Sequence, residues 1–137
     1  MTLHRKKMIL IYQEYESLNY LLEQILSSRD FVEVHTITDL RKLSSMCDTV
    51  NPDIVLFEAE NGYQLKFLQD IEKHGVDGSI LSKIVYIVGR DREDYFQANH
   101  SHEQAVKILK PFDINAMIET LEQQLNESSY LNLTLLG

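Results

Sequence analysis

The sequence predicts an α/β fold: a doubly wound sheet of five parallel strands inside a three-layer sandwich. Two observations carry this. Five short strand-like runs recur along the chain, four of them almost wholly apolar, the pattern of strands covered on both faces. Between them, apolar residues recur every three or four positions, the period of a helix buried along one side. Parallel neighbours need a crossover, and the crossover is usually a helix.

The elements follow in order. The apolar strands are Met8 to Tyr12, Ile54 to Phe57, Ile84 to Val88 and Ala105 to Leu109, whereas Phe31 to Ile37 alternates with polar residues and suits a sheet edge. Leu18, Leu21, Leu22, Ile25 and Leu26 keep helical spacing, with Ser17 placed as an N-cap. Leu40, Leu43, Cys47 and Val50 do the same after Asp39, and Leu65, Leu68 and Ile71 after Asn61-Gly62. Ile114, Met117, Ile118, Leu121 and Leu125 form the cleanest stripe, capped by Asp113. The segment after Val88 offers only Tyr95, Phe96 and Ala98 as an apolar face, so the fourth crossover helix should be short or mobile. The domain covers 1–127, and 128–137 (NESSYLNLTLLG from Asn126) read as a tail, or as a linker whose LNLTLLG could open the first strand of a further domain.

Composition narrows the function. The chain has 137 residues, 44% hydrophobic and 25% charged, which fits one globular domain with a full core. No apolar run approaches the roughly 20 residues of a membrane span, and the basic start MTLHRKKMIL is followed by too short an apolar stretch for a signal. A cytoplasmic protein is expected. A net charge of -8, with no basic cluster beyond Arg5-Lys6-Lys7, argues against nucleic-acid contact by this domain. Cys47, the single cysteine, lies on an apolar helical face and reads as core filler. No Ser/His/Asp spacing, GxSxG or glycine-rich phosphate loop occurs.

In doubly wound sheets, ligands bind in the crevice at the carboxyl ends of the strands. There the sequence places Gln13 and Glu14, Glu58, Val88 and Gly89, and Lys110. The run PDIVLFE from Pro52 to Glu58, the pair Gln13-Glu14 after MILIY, and Lys110-Pro111-Phe112 after the last strand resemble the receiver domain of bacterial response regulators, a flavodoxin-like fold. The resemblance covers residues 7–127. Separations of 44 residues from Glu14 to Glu58, 30 to Val88 and 22 to Lys110 are in step with it.

The resemblance implies a signalling domain of two-component systems and not an enzyme. In that family an aspartate after the third strand takes a phosphoryl group from a histidine. Acidic residues after the first strand help to hold magnesium, and a Thr or Ser and a lysine bind the phosphoryl oxygens. This chain departs from the pattern. Glu58 replaces the aspartate, advancing the carboxylate by about 1.5 Å, and in-line transfer depends on such geometry. Gln13 replaces one acidic residue and leaves Glu14, so magnesium binding through Glu14 and Glu58 should be weak at best. Val88 lacks the hydroxyl, Lys107 occupies the aromatic-switch position, and the loop before Asn61-Gly62 is short and lacks the usual Met-Pro. Lys110 and Pro111 are retained, and the resemblance implies a cis Lys110-Pro111 bond.

A Lys110–Glu58 ion pair is therefore expected at the strand tips. It reads either as a permanent imitation of the phosphorylated state or as a structural pair neutralising charges left by a lost site. No cofactor is expected. His100, His102 and Glu103 could at most form an incomplete zinc site. The leading function is a degenerate receiver that binds protein partners without phosphorylation, or pairs with a second copy, through the fourth helix, fifth strand and last helix. The alternatives are a working phospho-switch, including one at the head of a longer DNA-binding regulator, and a flavodoxin-like ligand binder or enzyme sharing only the fold.

Overall fold

The computed structural model describes residues 6–30, 32–74, 78–99 and 105–136, with side chains omitted for 74, 78–79 and 127–136. Five strands, β1 (Lys7–Tyr12), β2 (Val32–Ile37), β3 (Ile54–Glu58), β4 (Ile84–Gly89) and β5 (Lys107–Lys110), form one sheet in the order β2-β1-β3-β4-β5. All its pairings are parallel. β3 and β4 are buried along their whole length, as apolar runs covered on both faces must be. The edge strand β2 is only partly buried.

The helices divide between the faces. Leu22 and Leu26 of α1 (Glu16–Ser27) and Met117, Leu121 and Leu125 of α6 (Ile114–Leu136) close one core with Ile9, Ile11, Leu56 and Ile87. On the other face α2 (Leu43–Val50), α3 (Gly62–His74), the single turn α4 (Gly78–Leu81) and α5 (Glu93–Asn99) cover Leu10, Tyr12, Phe57 and Tyr86. Cys47 lies in this second core, as filler should. α2 ends at Asn51, whose φ of 51° is left-handed, a conformation asparagine tolerates at a helix end. Asp53 ties two strand starts together: its carboxylate accepts from Met8 N at 2.8 Å, and its own N–H donates to Met8 O at 2.8 Å.

Several expectations need correction. α1 starts one residue before Ser17: the N-cap is Tyr15, without a side-chain bond, because the Tyr15 carbonyl already accepts from Leu18 and Asn19. The stripe after Asp39 opens as a 3-10 turn, Leu40–Lys42, before α2 begins. β5 starts at Lys107, so Ala105 precedes it. Glu58, Gly89 and Lys110 are the last residues of their strands and do not follow them. The backbone of 128–136 continues α6 as helix, so LNLTLL forms no strand. The fourth crossover helix, α5, is short as expected, with seven residues. Phe31 and the zinc candidates His100, His102 and Glu103 lie outside the described residues.

Candidate functional site

In the order β2-β1-β3-β4-β5 the connections reverse direction between β1 and β3, and a crevice is expected at that switch point. Gln13 follows β1 and Glu58 ends β3, so both stand there. The register sets Tyr12 beside Phe57, Glu58 beside Ile87, and Gly89 beside Lys110. The sheet thus brings Gln13, Glu58, Val88 and Lys110 to one end.

Glu58 is 3% exposed, and a carboxylate so placed must be compensated. Its Oε1 accepts from Gln64 Nε2 at 2.9 Å and from the Glu14 backbone N–H at 3.3 Å. Its Oε2 receives Lys110 Nζ at 3.3 Å. The expected Glu58–Lys110 pair is present, and it is one half of a triad. Lys110 Nζ lies closer to Glu60 Oε1, at 2.9 Å, as an ion pair. Burial alone would push the Lys110 ammonium down. Contact with Glu60 and the charges of Glu58 and Glu60 outweigh burial and hold it above its ordinary value. The Lys110-Pro111 bond is cis.

Gln64 organises the site. Asn61 Oδ1 accepts from Gln64 N at 3.0 Å while Gln64 Oε1 accepts from Asn61 N at 3.2 Å, the reciprocal capping box of a helix N-terminus. The same Oε1 takes the Glu60 N–H at 2.9 Å. The amide's two hydrogens then go to Glu58 and to the Tyr12 hydroxyl, the latter at 3.1 Å. Tyr12 completes its bonding with Tyr63 at 3.2 Å, and burial pushes its phenol up.

The remaining predicted positions are accounted for as follows. Gln13 is fully buried and donates from Nε2 to Asn19 Oδ1 at 3.1 Å, and Asn19 reaches the Gln13 and Ile37 carbonyls at 3.5 and 2.8 Å. The Glu14 side chain is exposed, accepts from Asn61 Nδ2 at 3.5 Å, and lines an open groove of about 720 Å³ with Arg41, Tyr63 and Lys66. Val88 is wholly buried. Lys107 pairs with Glu93 at 3.1 Å and lies 5.9 Å from the Phe96 ring centre. Glu60, Gln64, Tyr12 and Asn19 were not singled out from the sequence. Asn61-x-x-Gln64 ahead of an apolar stripe was the available signal for Gln64, and Glu60 stands two positions beyond Glu58, the spacing that returns to one face of an extended chain.

This arrangement can be set beside known proteins. The N-terminal signal receiver domain of a two-component response regulator from Bacteroides fragilis matches with a TM-score of 0.69 at 19% identity, over 88% of this chain and 97% of that one. The receiver domain of a DNA-binding response regulator from Colwellia psychrerythraea matches with a TM-score of 0.71 at 14% identity, over 88% and 99%. The likeness is one of fold. The flavodoxin-like fold of receiver domains is thereby established for this chain. NtrX from Brucella abortus matches 94% of the chain with a TM-score of 0.70 at 19% identity, but this covers only 28% of NtrX. No protein-family model and no curated relative match the sequence. Among the described residues no helix is long and apolar enough to cross a membrane.

Proposed function

We propose that this chain is a receiver domain of two-component signalling that works as a protein-interaction module without accepting a phosphoryl group. The observation that carries this reading is the Glu58 carboxylate: both oxygens are occupied, by Gln64, Glu14 N–H and Lys110, and the group is 3% exposed. A nucleophile must present a free oxygen in line with the incoming phosphorus. Here that oxygen is bonded from within, and Val88 offers no hydroxyl to the product.

The donor set does not fit magnesium. A hard divalent cation favours several carboxylate oxygens, whereas Gln13 offers a neutral amide in place of a carboxylate and Glu58 is bonded to Lys110. Lys110 supplies the positive charge instead. The domain is regulatory and not catalytic, and its partners are proteins of a signalling pathway or a second copy, met through α5, β5 and α6. A cytoplasmic setting follows from that role.

The test is intact-mass measurement after incubation with acetyl phosphate and magnesium. The chain should remain unmodified. A phosphoryl adduct mapped to Glu58 would restore the phospho-switch.

A further inference from the structure

The segment after β4 has little apolar support. α5 contains one buried residue, Phe96, and seven residues are too few for a helix to persist by itself. Polar ties from other elements make up the deficit. Arg92 Nε and Nη2 donate to the Glu60 carbonyl at 3.0 and 2.8 Å, and the guanidinium lies 4.4 Å over the Tyr95 ring. Lys107 of β5 holds Glu93 at 3.1 Å, and Gln69 of α3 donates to the Asn99 carbonyl at 2.8 Å.

Glu60 stands where these ties meet the crevice. Its N–H is held by Gln64, its carboxylate by Lys110, and its carbonyl by Arg92. Gly89 makes room for this: a Cβ there would stand 3.0 Å from Glu60 Oε1 and 2.7 Å from Asp91 Oδ1. A side chain at this position would have to move the Glu60 or the Asp91 carboxylate.

We infer that Arg92 and Glu60 form a latch that couples the crevice to α5, holding the partner-facing surface in one arrangement. The planar guanidinium makes two charge-assisted bonds to one carbonyl, which fixes both distance and orientation. Release of Arg92 frees the start of α5, and loss of the Glu60 charge loosens the same turn from the Lys110 side. The inference relies on the proposed function only for the use made of that surface.

Amide hydrogen exchange followed by NMR on the whole chain tests the latch, comparing wild type with Arg92→Ala, Arg92→Lys and Glu60→Gln. Arg92 is exposed, so its variants should fold. Arg92→Ala should speed exchange of the 94–99 amides roughly tenfold while those of Leu22 and Leu121 stay unchanged. Arg92→Lys should recover part of the protection, since an ammonium can bond the carbonyl but cannot fork onto it. Glu60→Gln, which keeps the carbonyl, should speed the same amides by a smaller factor. Unchanged exchange of α5 in Arg92→Ala, or an equal rise in every helix, would overturn the latch. No phosphodonor is present in this experiment, so failure of the latch leaves the reading of Glu58 intact, and a phosphoryl adduct on Glu58 would leave the latch intact.

Discussion

The tips of β1 and β3 are neighbours in the sheet and solve the same burial problem in opposite ways. β1 leads into a neutral amide, Gln13, bonded to another neutral amide, Asn19. β3 ends on a carboxylate, Glu58, that draws donors from the β1 loop, from α3 and from β5. The neutral tip tolerates a gap: Gln13 Oε1 is buried and has no hydrogen-bond partner among the described residues. Glu58 has no such gap, since each of its oxygens accepts a hydrogen bond. An unpaired amide oxygen costs about 1–3 kcal/mol, whereas an uncompensated buried carboxylate costs considerably more. Placing an ionised group at the centre of the sheet therefore obliges three other elements to converge on it.

The sharpest way to break this contrast is to remove the cation. Lys110→Met should destabilise the domain by about 2–3 kcal/mol, somewhat less than the roughly 3–5 kcal/mol of a fully buried pair because one-fifth of the lysine side chain is exposed. Urea unfolding at neutral pH measures it. The folded state holds the Lys110 pKa above its unfolded value, so the stabilisation is complete below that unfolded value, near 10.5, and is lost as pH rises through the folded one. The gap between wild type and Lys110→Met should accordingly close only in strong alkali.

A smaller loss is expected at the neutral tip. Asn19→Leu keeps the branched outline of the side chain but strands the Gln13 amide and removes a donor from the Ile37 carbonyl, at about 2 kcal/mol with no pH dependence between 5 and 9. Thermal or urea unfolding at several pH values would separate the two tips. Smallest of all, Tyr12→Phe removes the hydroxyl shared with Gln64 and Tyr63 and should cost about 1 kcal/mol. It should also delete one late-ionising phenol from an absorbance titration, since burial pushes the Tyr12 phenol up.

The same contrast explains what was legible in the sequence. Strands β1, β3 and β4 announced themselves because two-sided burial leaves no alternative to continuous apolar residues. The Lys110–Glu58 pair was legible because two strand ends fix it, and strand ends follow from pattern. Glu60, Gln64 and Arg92 were not, because they lie in a short loop, in the first turn of a helix and in a 3-10 turn, and their contacts depend on how those turns cross. Ser17 misled for a related reason: the preference of serine for N-caps yields to the backbone of Tyr15, which begins the helix two residues earlier.

We expect the Glu58 carboxylate, bonded by Gln64, the Glu14 N–H and Lys110, to stay closed to modification. The most direct measurement is the amide NMR spectrum of the chain on addition of magnesium and then beryllofluoride, which imitates a phosphoryl group on a carboxylate. The spectrum should stay unchanged at millimolar magnesium with beryllofluoride present. Shifts spreading from Glu58 through Lys110 to Lys107 and α6 would contradict the account, because they would show a carboxylate still free to be modified and a fold still able to respond.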